Sequence, residues 1–371
     1  MGPGQGHPAP RRRRRQPGLP AGEHVGRSAR AAPGGRPRRG PQGVAGQAGT
    51  PPLHGTGVVV TARTVDLDGP VHYLDLGGPA DAPAAVYVHG LGGSHLNWSR
   101  LAPLLTTHVR GYALDLAGFG LTSGGDRRTT VQANAALLRR FLAEVVREPA
   151  VLLGNSMGGM VSILAAADDP GAVRGLVLVD PTLPKAAGVK LDPVVRRQFA
   201  VQAVPGVGEW ALRRRLATVP ARTRISYVLG LCFSDPARID PDLVDAGVAL
   251  EERRAGQPRR AEAYLEATRS ILRGLGRPTA YWAKMAGLPM PVLLVHGVHD
   301  RLVPIGNARA AAQRFPTWQY AELDAGHTPH METPDEVAAL VIPWLAMSLL
   351  GAEPGAQSQI STPALEGDSH A

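Results

Sequence analysis

Four short apolar runs, Ala84–Val88, Tyr112–Leu116, Val151–Leu153 and Leu176–Val179, constrain this chain more than any other feature. Each is bounded by Gly, Pro or Asp and lacks a polar alternation, so each reads as a strand buried on both faces. Strands of that kind belong to a parallel sheet with helices packed on either side. The segments between them supply such helices: Val131–Glu148 carries apolar residues at helical spacing, and Ser156–Ala167 is rich in Ala, Met and Leu. Ahead of the four runs, Gly57–Arg63 and Val71–Leu76 flank an Asp68-Gly69 pair, which predicts an opening hairpin.

After Asp180-Pro181 the rhythm changes. Residues 185–287 hold amphipathic helical segments such as Val194–Val201 and Arg260–Leu275 and no strand-like run, which predicts an inserted helical cap. The alternation returns with a strand at Val292–His296, a helix at Ile305–Phe315, a strand at Gln319–Leu323 and a long helix at Asp335–Leu350. The expected class is therefore α/β, with a core built from residues 56–184 and 288–351 around the cap.

The formal charge of +9 over 371 residues would fit a nucleic-acid binder if it were spread over the fold. It is not, because residues 1–50 hold ten Arg and one Glu, while the remainder holds thirty basic and thirty acidic side chains. Residues 1–55 are Arg-, Pro- and Gly-rich with few large apolar side chains, and read as a disordered tail. Weak contact of that tail with an anionic surface is the partner it allows; no specific nucleic-acid site is expected. Residues 352–371 read as a second flexible tail. No run of about 18 apolar residues predicts a membrane span, and one cysteine, Cys232, leaves no intramolecular disulfide, so the expectation is a cytoplasmic enzyme. Within the cap, eighteen basic residues face ten acidic ones, a net +8 that complements an acidic core.

Gly154-Asn155-Ser156-Met157-Gly158 follows one predicted strand and opens a predicted helix. A sharp strand-to-helix turn presents a serine hydroxyl above the sheet, and small flanking residues keep that turn free of clashes. Three further segments stand at strand ends. His89-Gly90-Leu91-Gly92-Gly93 is a loop whose backbone could face a developing oxyanion, with the Leu91 and Met157 N–H groups as the donor pair. Asp300 follows the Val292–His296 strand, and His327 follows Gln319–Leu323. Ser156, Asp300 and His327 thus occur in the order nucleophile, acid, base. Asp180 is the alternative acid. Gly90, Trp98 and Phe119 are candidate pocket residues. His296 with His299, and His327 with His330, have the spacing of metal ligands, yet each pair lies in a loop the hydrolytic residues already explain, so neither metal nor cofactor is expected.

With Asp115-Leu116-Ala117-Gly118-Phe119-Gly120 and Gly326-His327-Thr328-Pro329-His330-Met331-Glu332-Thr333-Pro334 added, the sequence resembles the α/β-hydrolase superfamily over roughly residues 56–350. The resemblance implies an eight-stranded, mostly parallel sheet flanked by helices, with a lid between strands six and seven. It also implies a serine hydrolase that cleaves a small-molecule carboxylic ester, moderately hydrophobic or lipid-like, through an acyl-enzyme. The same residues would serve a C–C bond hydrolase, a cofactor-free haloperoxidase-like enzyme or a slow-turnover ligand sensor. A serine at the turn argues against dehalogenase and epoxide hydrolase chemistry, which uses Asp there.

Overall fold

A computed structural model describes Gly2 and residues 60–349. The two expected tails, apart from Gly2, and the Gly57–Val59 start of the first expected strand lie outside the described residues. β1 (Thr61–Asp66) and β2 (Pro70–Gly77) form the predicted hairpin, paired antiparallel from Thr61 opposite Asp75 to Asp66 opposite Pro70. Its reversal passes through Asp68 and Gly69, both at positive φ (59° and 113°), which Asp and Gly tolerate better than most residues.

β3 (Ala84–Val88) is buried at every position, as its unbroken apolar sequence requires. The short helix α1 (Ala102–Leu105) leads to β4 (Arg110–Leu114). α2 (Val131–Phe141) begins at Thr130, whose side chain accepts from Ala133 N–H, and widens into a π-helical turn over Leu142–Val146 that ends at left-handed Arg147. β5 (Ala150–Asn155), α3 (Met157–Asp168) and β6 (Val173–Val179) follow.

Six α-helices then occupy the stretch expected to be helical: α4 (Pro193–Ala203), α5 (Val207–Thr218), α6 (Ala221–Cys232), α7 (Pro241–Arg253), α8 (Arg260–Leu275) and α9 (Pro278–Ala286). β7 (Val292–Gly297), α10 (Ile305–Arg314), β8 (Gln319–Leu323), α11 (Pro329–Glu332) and α12 (Pro334–Leu349) complete the chain of elements.

The eight strands form one sheet in the order β1-β2-β4-β3-β5-β6-β7-β8, parallel from β4 onward. Alternate side chains of each central strand serve opposite cores. Val86, Val88, Leu152 and Leu178 pack with residues of α2 and α3, whereas Tyr87, Leu153, Val177 and Val295 pack with residues of α1 and α12. Burying a Val or Leu contributes about 1.5–3 kcal/mol, so the loops at the ends of β3, β5, β6 and β7 rest on the firmest part of the fold.

The inserted helices are rooted through α8. Thr129 Oγ1 donates to Ala263 O (2.8 Å), Thr129 N–H to Glu266 Oε2 (2.9 Å) and Val131 N–H to Ser270 Oγ (2.9 Å). Arg254, at the end of α7, donates to Gly118 O (3.1 Å). α4, α5 and α6 are looser, with Val201, Val204, Val207, Trp210 and Tyr227 exposed. Among the described residues no helix is long and apolar enough to cross a membrane.

Candidate active site

Ser156 joins β5 to α3 at φ 54°, ψ −117°, a conformation a non-glycine residue adopts at a cost of about 1–3 kcal/mol. Its surroundings hold it there. Ser156 N–H donates to Val179 O (3.1 Å), and Ser156 O accepts from Thr182 N–H (3.0 Å) and Met160 N–H (3.2 Å). The small residues around it are a packing requirement: a Cβ on Gly158 would stand 2.1 Å from Val88 O, and one on Gly154 would stand 2.7 Å from Gly158 O.

The loop after β3 lies against this turn, since a Cβ on Gly90 would be 3.2 Å from Ser156 Cβ. His89 shapes the loop. Its Nε2 accepts from Leu116 N–H (3.0 Å), which leaves Nδ1–H to donate to Gly90 O (2.7 Å). Burial pulls the His89 ring down to about 4, in keeping with that neutral form. One layer further out, Asp115 accepts from His95 N–H (2.7 Å), Leu121 N–H (2.8 Å), His72 Nδ1 (2.8 Å) and His95 Nδ1 (2.9 Å). Burial alone would raise the Asp115 carboxyl, but His95 and His72 outweigh it and hold it well below the usual carboxylate range.

At the ends of β7 and β8, His327 Nδ1 lies 2.7 Å from Asp300 Oδ2. Asp300 Oδ1 accepts from Leu302 N–H (2.7 Å) and Val303 N–H (2.9 Å). Burial works against this carboxylate, yet His327, with His296 beside it, holds it well below its ordinary value. Being ionised it has no proton to give, so His327 Nδ1 carries the hydrogen and Nε2 is left as the basic nitrogen.

Asp180, at the end of β6, is fully buried and sits at φ 45°. One oxygen accepts from Gly297 N–H (2.9 Å) and the other has no hydrogen-bond partner. Burial, then the neighbouring Asp300 charge, pushes its carboxyl well above the ordinary range. Two adjacent carboxyl groups are thus driven apart, Asp300 downward and Asp180 upward. Polar atoms of Asp180, Asp300 and His327 lie within 4.8 Å of one another, but the bond to the imidazole is made by Asp300.

Asn155 links the two halves of the site, donating from Nδ2 to Val179 O (3.0 Å) and to His327 O (3.2 Å). Among the described residues no hydrogen bond joins Ser156 Oγ to His327, a spacing that substrate-free hydrolytic sites often show.

Two expected pocket residues are core instead. Trp98 is 1% exposed and packs on Tyr87 (5.4 Å) and His330 (4.4 Å) among residues of α1 and α12, because the loop after β3 folds its indole inward. Phe119, also 1% exposed, sets its edge against His89 (5.8 Å). Gly90 does face Ser156. The histidine pairs separate: His296 binds Val303 O, while exposed His299 binds Asp324; His327 binds Asp300, while His330 lies tilted against Trp98. Sequence reasoning missed the Asp115 cluster and the carboxylate of Glu332, although both lie inside segments it singled out.

The model of the Alpha/beta hydrolase family matches residues 85–340. A pimeloyl-[acyl-carrier protein] methyl ester esterase from Aromatoleum aromaticum is 30% identical over 274 residues, 70% of this chain and 96% of the relative. A 2-hydroxy-6-oxo-6-(2'-aminophenyl)hexa-2,4-dienoic acid hydrolase from Metapseudomonas resinovorans is 24% identical over 291 residues, 74% of this chain and 87% of the relative. The crystal structure of a lipase described as putative, from Acinetobacter baumannii, superimposes with a TM-score of 0.64 at 22% identity, over 79% of this chain and 93% of that one. Together with the sheet order and the strained turn at Ser156, these matches show that the chain belongs to the alpha/beta hydrolase family.

Proposed function

We propose that the protein is a serine hydrolase acting on a small, moderately hydrophobic carboxylic ester. The observation that carries this reading is the 2.7 Å bond between Asp300 and His327, set beside a serine held at φ 54° and tied to the histidine loop through Asn155. His327 Nε2 takes the Ser156 hydroxyl proton as the oxygen attacks the ester carbonyl. Asp300 orients the ring and stabilises its charged form. The resulting oxyanion is received by the N–H groups of Leu91 and Met157, which donate to no other group among the described residues and flank the Gly90–Ser156 contact. Each such donor is typically worth about 3–4 kcal/mol in the transition state. His327 then protonates the departing alcohol, and the same base activates a water that releases the acid.

The helices of residues 185–287 act as a cap that screens this chemistry from bulk water, with Tyr264 of α8 close to Gly92 of the oxyanion loop. A C–C bond hydrolase is the second reading, favoured by the likeness to the Metapseudomonas resinovorans hydrolase. A panel of p-nitrophenyl esters of graded chain length, run beside a 2-hydroxy-6-oxo-dienoate, separates the two. Turnover of short and medium esters with no dienoate cleavage supports the esterase. The reverse pattern removes it.

A further inference from the structure

The helical insertion and the histidine loop meet at a buried carboxylate that the proposed chemistry does not use. Glu332 lies at the end of α11, and its side chain is fully buried. Its Oε1 accepts from Ser234 Oγ–H (2.5 Å), Asp235 N–H (3.0 Å) and Ser234 N–H (3.1 Å). Its Oε2 accepts from Gly326 N–H (2.7 Å), and Arg238 Nη1 stands 3.6 Å from Oε1. All of these partners are donors, so both oxygens must accept, which a carboxylate does and a carboxamide cannot. A charge buried this deeply is tolerated when its lone pairs are filled, and here the insertion fills Oε1 and shares Oε2, at 3.1 Å from Ser234 N–H, with the residue before His327.

The contact is closed from the other side as well. Cys232 O accepts from His327 N–H at 2.6 Å, and a Cβ on Gly326 would lie 2.2 Å from Cys232 O and 2.7 Å from Ser234 N. The two backbones therefore touch, and neither segment can shift without breaking bonds of the other. The short helix makes this possible, because Met331 N–H and Glu332 N–H both return to Thr328 O and fold Glu332 back beneath Gly326.

We infer that Glu332 is a positioning residue that locks Cys232–Asp235 of the insertion to the loop of His327, so that the imidazole keeps its place only while this base of the insertion stays docked. The inference rests on reading His327 as the general base. Movement of the insertion to admit substrate is then confined to α4 and α5, whose apolar side chains are exposed, and the 232–238 segment stays fixed.

The test compares the full-length protein with its Glu332→Gln and Ser234→Ala variants, by amide hydrogen exchange and by turnover of a short p-nitrophenyl ester. In Glu332→Gln, amides of 232–235 and of 326–327 should lose protection together, by about tenfold or more, with β5 to β7 unchanged. Its kcat should fall by about tenfold or more while KM moves less than about threefold, because a displaced base costs rate rather than binding. Ser234→Ala should move both segments and kcat the same way by at least about threefold, and it decides the matter if Glu332→Gln does not fold. Loosening of 232–235 with full protection retained at 326–327, or an unchanged kcat, overturns the inference. If the parent protein turns over no ester, the serine hydrolase reading fails on its own, and the exchange data alone decide whether the two segments are locked.

Discussion

Asp300 and Asp180 stand side by side at the ends of β7 and β6, yet Asp300 holds the His327 imidazole at 2.7 Å while Asp180 spends one oxygen on Gly297 N–H and leaves the other unpartnered. Burial acts on both. Asp300 offsets it with the His327 ring and the Leu302 and Val303 N–H groups, so the carboxyl held low is the one that faces His327.

Asp300→Asn should therefore cost about 10³–10⁴-fold in kcat with the fold intact, since the wrong imidazole tautomer is then favoured. Asp180→Asn should stay within about threefold, because Asp180 accepts from Gly297 N–H and the bond to the imidazole is made by Asp300. Kinetics of the two variants on one ester check this. The opposite ranking would make Asp180 the orienting acid.

Asp180 should also leave a mark on stability. Its folded-state pKa is raised from the ordinary 3.8, so its contribution is complete below that value and is lost as pH climbs through the raised one. Asp300 is depressed from 3.8, so its contribution is present above that value and is lost as pH falls through the lowered one. The melting temperature of Asp180→Asn relative to the parent should accordingly rise from pH 5 to pH 9. A pH-independent difference in thermal scans would contradict the assignment.

Gly158→Ala places a methyl 2.1 Å from Val88 O, where backbone rather than a flexible side chain must yield. Overpacking of this kind costs about 1–3 kcal/mol, or roughly 2–5 °C in melting temperature for a domain of this size. Calorimetry decides. A variant as stable as the parent would mean that the turn relaxes far more easily than its contacts indicate.

The clusters His72–His95–Asp115 and Asp180–Asp300–His327 place donor atoms within 4.8 Å of one another, a spacing a metal could use. Their hydrogen bonds already satisfy the Asp115 and Asp300 carboxylates, so prolonged dialysis against EDTA should leave ester turnover unchanged. Activity lost to EDTA and restored by zinc would assign one cluster to a metal.

The central parallel strands were legible in the sequence because full burial leaves an unbroken apolar run, and Ala84–Val88 matches its element end for end; Gln319–Leu323 also matches end for end, although as the edge strand it is only half-buried. The β6 strand was read short, beginning at Leu176 rather than Val173, because exposed Arg174 and buried Gly175 interrupt the run of large apolar residues. The site's order along the chain was legible too, since motif residues sit at strand ends that the apolar runs define. What was not legible is contact between distant segments. Nothing in the spacing shows that Glu332 turns back on Gly326, or that Cys232 from the insertion accepts from His327. Trp98 and Phe119 were misread for the same reason, because an aromatic near a functional loop gives no sign of which side of that loop it packs.

The central claim is that Ser156 is the nucleophile, and one measurement tests it directly. The full-length protein is treated with a fluorophosphonate probe, digested and mapped by mass spectrometry, beside a Ser156→Ala variant whose fold is verified by circular dichroism and melting temperature. Covalent label on the peptide carrying Ser156, with labelling and turnover both abolished in the variant, is the predicted result. A well-folded variant that still turns over ester at the parent rate, or label found on another residue, would contradict it.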